Sequence, residues 1–510
     1  MQKSISGKKV LLVGLGRLGG GVSTAKFLYK NDNILTITDL NTESELKKSV
    51  RQLKGFNIKF HLGGHKESDF KNNDIIVFNP AVSHFSPWVK LAQKYKKEFY
   101  NDYTLFLKLL QPKPNDIASR YIGITGTRGK TTVTTWIGYI LSPSIIGGNI
   151  PQNGLLKIID KITSKTPLVL ELSSYQLEYV GDWNSFNNPD CQVLNDRSIL
   201  DKNKGGGIRS PHVAVITNLS SDHLNRYGTI EKYLSVKANI FKNQTKNDFL
   251  ILNFLDKYTL AFLKKKPQSQ IYYFSLKSLP ESKKGLFFSG EKVYFQENGK
   301  KLFISKFTDL SPHQKNNLLA SMLASYLYLN QHKSAIREAN DVWKKILLKT
   351  KNLPQILFRQ QIILKKKNLV VVNDSASTSP EGTIVAIERF SKNPDFILVT
   401  GGTDKKLDFK RLSEYIGKYV KTKNLFLLNG SATRKLVERL RKNKYFKSEP
   451  PVFGSLKEIV KAVSGLRRGI IVFSPGSASF EKFKNEFDRG RKFNRLIKQY
   501  FRENKPPRLM

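Results

Sequence analysis

A glycine-rich turn with an adjoining lysine stands out in YIGITGTRGKTTVTTWIGYI, residues 121–140. Glycine lets backbone N–H groups approach a phosphate closely, and the N-terminus of the helix that follows favours negative charge. Lys130 would reach the β- and γ-phosphates of a nucleotide, and the Thr131 hydroxyl would bind Mg2+. Because Ile124 stands where a strict P-loop has its first glycine, an incidental glycine turn remains the alternative. The residues expected to bind the nucleotide here are Gly126, Thr127, Gly129, Lys130, Thr131 and Thr132.

Two further segments carry side chains suited to a metal ion. In PLVLEL, Glu171 directly follows the apolar run PLVL, and a carboxylate at a strand end beside a phosphate turn is a suitable Mg2+ ligand. The later segment ITNLSSDHLNRYGTIEKYLSVKANIF places His223 after a strand and Lys237 on a helix. Taken singly, each side chain would be structural or solvated, so only their joint occurrence indicates a site.

The elements around these residues alternate between short apolar runs and polar helical stretches, which predicts α/β domains with mostly parallel sheets. We predict three consecutive domains: a Rossmann-like domain over 1–115, a P-loop ATPase-like domain over 116–350 and a second Rossmann-like domain over 351–510. Short antiparallel strands are expected at 270–305, beginning with QIYYFSL. The other predicted strands are KKVLLVGLG, ILTITDL, NDIIVFNPAV, YIGITG, PLVLEL, HVAVITNL, DFLILNF, NLVVVND, FILVTGG, NLFLLNG and GIIVFSPG.

Composition narrows the classes of protein. The mean hydropathy is −0.37, and no apolar run approaches the ~18 residues of a membrane-spanning helix. One cysteine, Cys191, excludes an internal disulfide and fits a reducing cytoplasm. The net charge of +45 comes from 86 Lys and Arg against 41 Asp and Glu, and these are spread along the chain rather than gathered in one patch. We therefore expect a cytoplasmic protein without nucleic acid or membrane insertion. Separately, we expect a monomer that acts on small molecules.

In chain order, GITGTRGKTT, ELSSYQLE and NLSSDHLNRYGTIEKYLSVKANIF closely resemble motifs of the Mur ligases, the ATP-dependent amide-forming enzymes of peptidoglycan assembly. The resemblance implies that the three domains bind a UDP-sugar substrate, ATP and an amino acid, respectively. It implies catalytic roles for Lys130, His223 and Lys237, with Asn149 and Asn317 near the ATP phosphates. It also implies two Mg2+ ions, whose ligands would be Thr131, Glu171, His223 and a carbamylated Lys237.

Three segments of the third domain are similar to those of family members that add D-glutamate to UDP-N-acetylmuramoyl-L-alanine through an acyl phosphate. They are NDSASTSPEGT, GGTDKKLDF and SPGSASFEKFKNEFDRGRKF. By this resemblance, Arg359 and Asp374 would lie by the nucleotide. The residues expected to contact D-glutamate are Thr378, Lys405, Ser479 and Phe487.

The N-terminal glycines form Gly14-x-Gly16-x-x-Gly19, and Asp39 ends the next predicted strand. Alone, this pattern would indicate a dinucleotide site. The diphosphate of a UDP-sugar presents the same pyrophosphate to a helix N-terminus, and the second phosphate turn favours this interpretation. The residues expected to bind the UDP substrate are Gly14, Gly16, Arg17, Leu18, Asp39 and Asn79.

Three alternatives stay open. The first is another amide ligase of the same superfamily with a different amino acid, against which the third-domain segments argue. The second is a basic P-loop ATPase that acts on nucleic acid. The third is a catalytically inactive scaffold, which would have no reason to keep Lys130, Glu171, His223 and Lys237 together.

Overall fold

The computed structural model describes residues 5–17, 19–110, 121–150, 153–163, 165–180, 209–308, 310–330, 336–405, 407–442 and 449–502. The chain divides into two compact units, Met1–Pro354 and Gln355–Met510. Three features named from the sequence lie outside the described residues: Leu18, the expected domain boundary at 115/116, and most of the insertion at 183–210. Of that insertion, only Arg209 and Ser210 are described. Within the described ranges, a helix that could cross a membrane is not found.

The first unit begins with a five-stranded parallel sheet. Its strands are β1 (Lys9–Val13), β2 (Ile34–Asp39), β3 (Ile58–Leu62), β4 (Ile75–Phe78) and β5 (Glu98–Asn101). Their order in the sheet is β3-β2-β1-β4-β5. Four of the five β1 side chains are buried, as expected where helices cover both faces of a parallel sheet. The helices are α1 (Gly20–Lys30), α2 (Glu43–Arg51), α3 (Glu67–Asn72), α4 (Pro87–Lys94) and α5 (Asp102–Leu109).

A nine-stranded sheet follows in the same unit. Its strands are β6 (Ile122–Thr125), β7 (Ile145–Gly148), β8 (Leu168–Glu171), β9 (Val213–Ile216), β10 (Phe249–Asn253), β11 (Gln270–Ser275), β12 (Gly285–Ser289), β13 (Lys292–Glu297) and β14 (Lys300–Lys306). The order is β14-β13-β12-β11-β10-β9-β6-β8-β7, so β6 lies between β8 and β9. The helices are α6 (Lys130–Ile140), α7 (Leu155–Ile158), α8 (Ser174–Leu177), α9 (Leu224–Tyr227), α10 (Ile230–Ala238), α11 (Thr259–Leu263), α12 (Pro312–Leu329) and α13 (Ile336–Thr350).

Buried side chains from both sheets of the first unit belong to one hydrophobic cluster, which includes Val10, Tyr103 and Leu170. Polar contacts join the same parts of the unit. Tyr103 and Tyr121 share a buried hydroxyl–hydroxyl hydrogen bond of 2.8 Å. The site elements of the two sheets therefore hold a fixed relationship.

The second unit contains a six-stranded sheet in the order β15-β16-β20-β17-β18-β19. Its strands are β15 (Gln361–Lys365), β16 (Leu369–Asn373), β17 (Phe396–Thr400), β18 (Leu425–Leu428), β19 (Val452–Phe453) and β20 (Gly469–Phe473). Only β15 pairs antiparallel among the described strands of this unit. The helices are α14 (Pro380–Phe390), α15 (Lys410–Tyr419), α16 (Ser431–Arg441), α17 (Leu456–Val463) and α18 (Glu486–Arg502).

The strands that the sequence predicts are present, but one pairing direction is wrong. QIYYFSL forms β11, which pairs parallel with both β10 and β12. Antiparallel pairing begins only at β12 and β13. The apolar pattern of a strand does not encode the direction of its neighbours, so the sequence alone could not give this detail.

Candidate functional site

The phosphate turn connects β6 to α6. Gly126 has φ 140° and Gly129 has φ 83°, conformations that residues with a side chain rarely adopt. A Cβ atom on Gly126 would lie 2.0 Å from Thr217 Oγ1, and one on Gly129 would lie 2.5 Å from Asn317 Oδ1. Both positions therefore require glycine, and Asn317 packs directly against the turn.

Lys130 folds back over this turn. Its Nζ donates to the carbonyl oxygens of Gly126 and Thr127, each at 3.0 Å. Thr131 and Thr132 follow in the first turn of α6 and are partly exposed. The ammonium, the threonine hydroxyls and the helix N-terminus thus surround the place where a nucleotide phosphate would bind.

Residues after β9, which were not predicted, hold the phosphate turn in place. The Thr127 N–H donates to the Asn218 carbonyl at 2.9 Å, and the Arg128 N–H donates to Asn218 Oδ1 at 3.0 Å. Thr217 Oγ1 donates to the Arg128 carbonyl at 2.6 Å. The sequence signal is weak, because these residues are recognisable only once β9 is known to neighbour β6.

Glu171 ends β8 and is 3% exposed. β8 pairs parallel with β6, in a register that sets Glu171 opposite Ile124. The Nδ2 of Asn149 lies 3.4 Å from Glu171 Oε1. Glu171 Oε2 is buried and accepts no hydrogen bond from the described residues. A buried carboxylate oxygen without a donor suits a hard cation such as Mg2+.

Lys237 lies on α10 and is 1% exposed. Its Nζ donates to the Gly126 carbonyl at 2.9 Å and to Thr125 Oγ1 at 3.3 Å. Burial and the nearby charge of Lys130 hold the pKa of Lys237 well below its ordinary value, against the opposing effect of two acidic groups. The amine therefore loses its proton more readily here than an exposed lysine would.

His223 immediately precedes α9 with φ 53°. Its Nδ1 lies 3.0 Å from the hydroxyl of Tyr175, and its Nε2 lies 3.7 Å from Asp222 Oδ2. The Tyr233 ring connects this residue to the turn, because its centroid is 6.1 Å from that of the His223 ring and 4.7 Å from Lys237 Nζ. Tyr175 and Tyr233 were not predicted as site residues.

The described ranges hold no group of three His, Cys, Asp or Glu side chains close enough to bind a metal ion. A site for Mg2+ that uses Glu171 and a site that uses His223 would therefore each need further oxygen ligands. Thr131, nucleotide phosphates and a modified Lys237 are the available sources, and all would supply the oxygen donors that Mg2+ prefers.

The second glycine turn, after β1, is also shaped by close packing. Gly14 has φ 91° and Gly16 has φ 65°. A Cβ on Gly14 would lie 3.0 Å from the Cβ of Asn79, which follows β4. Asp39 Oδ2 accepts the Gly16 N–H at 2.9 Å. The turn, Asp39 and Asn79 are thus brought together as predicted.

The other carboxylate oxygen of Asp39 is engaged as well, because Oδ1 accepts the backbone N–H of Asn41 at 2.8 Å and its side-chain amide at 2.7 Å. Asp39 therefore stabilises the turn, in addition to the ligand contact expected of it. Arg17 is exposed, donates to Asn41 Oδ1 at 2.9 Å and forms an ion pair with Glu45.

In the second unit, Asp374 is buried after β16. It accepts the Ser474 hydroxyl at 2.7 Å and the Gln360 N–H at 3.0 Å. Burial raises the pKa of Asp374 to about 7, although both hydrogen bonds and the nearby arginines act in the opposite direction. The neighbouring Arg359 is exposed and stands between Phe358 at φ 61° and Gln360 at φ 46°.

The residues expected to bind D-glutamate occupy three loops and a helix of this unit. Thr378 follows β16, the exposed Lys405 follows β17, the buried Ser479 follows β20, and Phe487 lies on α18. β20 pairs with both β16 and β17, so these loops leave the same edge of the sheet.

A residue that was not predicted, Arg489, joins two of these loops. Its guanidinium is fully buried and donates to Ser375 Oγ and carbonyl, at 3.1 and 2.8 Å. It also donates to the carbonyls of Ser477, at 3.1 Å, and Ala478, at 2.9 Å. Burial lowers the pKa of Arg489 to about 10, so its charge persists at neutral pH.

Comparisons with known proteins match most of the chain. The family model for the "Mur ligase middle domain" matches residues 124–325, and that for the "Mur ligase MurD-like, N-terminal domain" matches 8–100. The UDP-N-acetylmuramoylalanine–D-glutamate ligase of Borreliella afzelii is 33% identical over 499 residues, which cover 96% of this chain and 97% of the relative. The ligase of the same name from Clostridioides difficile is 31% identical over 498 residues, covering 96% and 98%.

Solved structures show the same fold. The ligase MurC of Thermotoga maritima aligns with a TM-score of 0.55 at 17% identity, over 96% of this chain and 99% of that chain. MurF of Thermotoga maritima, solved with ADP, aligns with a TM-score of 0.51 at 15% identity, over 99% and 97%. These alignments confirm the predicted α/β fold class.

Proposed function

This chain belongs to the Mur ligase family, and from that premise we propose that it adds D-glutamate to UDP-N-acetylmuramoyl-L-alanine with conversion of ATP to ADP and phosphate. The observation that carries the proposal is the similarity, over nearly the whole chain, to relatives named for this reaction. The product is a precursor of peptidoglycan. We further propose that the protein works as a cytoplasmic monomer without nucleic acid.

Both chemical steps bring like charges together. In the first, the alanine carboxylate attacks the γ-phosphorus of ATP, the bond to ADP breaks, and an acyl phosphate forms. In the second, the D-glutamate amine attacks the acyl carbon, phosphate leaves with the bonding electrons, and the amine gives up a proton. Lys130, which already lies over the turn, would offset the repulsion of the first step.

The residues present fit two Mg2+ ions. Thr131 and Glu171 would hold one ion, and His223 with a carbamylated Lys237 would hold the other. The buried Glu171 Oε2 without a donor supports the first assignment. The depressed pKa of Lys237 supports the second, because a neutral amine can add CO2 and release a proton to give an anionic carbamate. When bound, Mg2+ would neutralise the charge of the phosphates and polarise the transferred group.

The remaining site residues divide between the substrates. For the UDP substrate we propose Gly14, Gly16, Arg17, Leu18, Asp39 and Asn79. For ATP we propose the phosphate turn with Asn149, Asn317, Arg359 and Asp374. For D-glutamate, which carries two carboxylates and becomes a dianion once its amine deprotonates, we propose Thr378, Lys405, Ser479 and Phe487. A cationic side chain and hydroxyl donors are suited to its two carboxylates.

Phosphate release from ATP tests the proposal. The assay would contain UDP-N-acetylmuramoyl-L-alanine and, in turn, D-glutamate, L-glutamate, L-alanine and glycine. We expect release only when the UDP substrate and D-glutamate are both present. Phosphate release with a different amino acid would support the ligase activity but assign it a different amino-acid substrate. Phosphate release that does not depend on any of the four amino acids but increases with DNA or RNA would overturn the proposal. It would indicate a nucleic-acid-dependent ATPase instead.

A further inference from the structure

The side chain of Arg226 joins two segments of the first unit that belong to different substrate sites. Arg226 lies on α9, three residues after His223. Its Nη1 donates to the carbonyl of Ala81 at 2.8 Å, and its Nη2 donates to that of Pro80 at 3.1 Å. Nη2 also lies 3.3 Å from a third carbonyl of the same loop, residues 80–84. The loop that follows β4 is thus anchored to the segment that carries His223.

A buried carboxylate completes this anchor. Arg226 Nε and Nη2 donate to the two oxygens of Glu178 at 2.6 and 2.7 Å. The Arg226 side chain is 10% exposed and that of Glu178 is 0% exposed. Glu178 Oε2 also accepts the backbone N–H of His84 at 3.1 Å. The Arg226–Glu178 ion pair therefore holds both ends of loop 80–84. Its two parallel N–H···O hydrogen bonds fix the relative orientation of the two side chains.

Tyr175 extends the network to the imidazole of His223. Its ring lies 4.0 Å below the Arg226 guanidinium carbon, and its hydroxyl lies 3.0 Å from His223 Nδ1. Such a contact to one ring nitrogen fixes the orientation of an imidazole. Arg226 thus supports both the loop and, through Tyr175, the histidine.

The other end of the network reaches the glycine turn after β1. Asn79 directly precedes loop 80–84, and its Oδ1 accepts the Ala81 N–H at 3.0 Å. Its side chain fills the space beside Gly14 and Gly16. Movement of the loop would therefore move Asn79 relative to the turn.

We infer that Arg226, with Glu178 and Tyr175, is a positioning residue that couples diphosphate binding at Asn79 to metal binding at His223. This inference rests on the proposed function, since it takes Asn79 as a contact of the UDP substrate and His223 as a metal ligand. A coupling of this kind is reciprocal, so each ligand tightens the binding of the other by the same factor. Arrival of the UDP substrate would then help to complete the metal site before phosphoryl transfer.

The test measures Mn2+ affinity by electron paramagnetic resonance, with a non-hydrolysable ATP analogue present, in the absence and presence of UDP-N-acetylmuramoyl-L-alanine. In the wild-type chain we expect the UDP substrate to tighten Mn2+ binding by about 5- to 150-fold. The double variant R226Q/E178Q removes both charges together, so that no lone charge remains buried, and should abolish this factor. The matched control K232M removes an exposed charge from the adjacent helix and should keep it.

The variant Y175F separates coupling from a general loss of structure, because it removes only one hydroxyl. We expect it to bind the UDP substrate as the wild type does when metal is absent, and to bind Mn2+ more weakly. An unchanged coupling factor in R226Q/E178Q would overturn the inference. If R226Q/E178Q does not fold, an Mn2+ affinity in Y175F equal to that of the wild type would overturn the inference. A wild-type chain that binds the UDP substrate without any effect on Mn2+ would also overturn it, whereas no binding of the UDP substrate would contradict the proposed function instead.

Discussion

The amine of Lys237 lies 2.9 Å from the carbonyl oxygen of Gly126, the same oxygen to which Lys130 donates at 3.0 Å. Two lysines therefore converge on one atom of the phosphate turn. Burial and this proximity together lower the pKa of Lys237. A carbamate on Lys237 would replace the unfavourable pair of cations by a pair of opposite charges.

We expect the wild-type chain in 13C-bicarbonate to show a carbamate carbon resonance that K237M lacks. Loss of this group should lower the rate of phosphate release by about 10²-fold or more, as for other charge-stabilising groups in active sites. K232M, with its lysine exposed on the same helix, should keep both the resonance and the activity. Full wild-type activity in the absence of any carbamate signal would refute the assignment.

Gly129→Ala should damage the phosphate turn in two ways. The new Cβ would meet Asn317 Oδ1 at 2.5 Å, and the residue would have to keep φ 83°. The backbone strain alone costs about 1–3 kcal/mol, so we expect a lower melting temperature and weaker binding of an ATP analogue, measured by calorimetry.

Gly154→Ala is the matched control, because Gly154 has φ −59° and open space around it. The double variant G129A/N317A should recover only part of the lost melting temperature, since the strain remains after the collision is removed. Wild-type nucleotide affinity in G129A would show that the turn does not hold the phosphates.

Asp102 should make the first unit less stable as pH rises. Burial raises its pKa from 3.8 to about 6, although a hydrogen bond from Gln176 acts against this. The folded chain therefore holds the proton more strongly than the unfolded chain does. The stability that this proton contributes is complete below about pH 4 and is lost as pH rises through 6.

Asp102→Asn should remove this dependence. At about 1.4 kcal/mol per pKa unit, the variant should be more stable than wild type by up to roughly 3 kcal/mol at pH 8 and nearly equal to it at pH 4. Differential scanning calorimetry across this range would measure the effect. Asp32→Asn, which alters an exposed carboxylate at φ 57°, should leave the pH dependence intact. Parallel curves for wild type and D102N would contradict the expectation.

Arg489→Lys keeps the charge of the buried guanidinium and loses its planar set of donors. A lysine cannot satisfy Ser375, Ser477 and Ala478 together, and each buried carbonyl left without a donor costs about 1–3 kcal/mol. We expect the KM for D-glutamate to rise while the KM for the UDP substrate stays unchanged. Arg491→Lys, on the exposed face of the same helix, is the control. Equal effects of the two variants on the KM for D-glutamate would rule out a role for Arg489 in placing the loops.

The sequence could predict the parts of the site whose geometry is local. The strand, turn and helix around Lys130 follow from glycine and helix-start signals within ten residues of one another. Glu171 could be placed beside them because parallel strands end at the same edge of a sheet. These arguments use only chain order and strand direction.

Other parts depend on which strands become neighbours and on the paths of loops. Thr217 and Asn218 hold the phosphate turn only because β9 lies beside β6. Arg226 and Tyr175 act through contacts between residues about fifty or more positions apart. Asp39 shows a different limit of sequence-based prediction. An aspartate at this position suggested a contact with a ligand, but it did not reveal that the carboxylate accepts the Gly16 N–H.

The hydrogen bonds of Lys130 to the turn also affect the thermodynamics of nucleotide binding. A long, flexible side chain loses rotamer entropy when it is first immobilised, by up to about 2 kcal/mol. Lys130 is held by two carbonyl oxygens of the turn itself, so part of this loss occurs during folding. Binding of a phosphate then requires only an exchange of acceptors, and the nucleotide gains affinity from a pre-organised lysine.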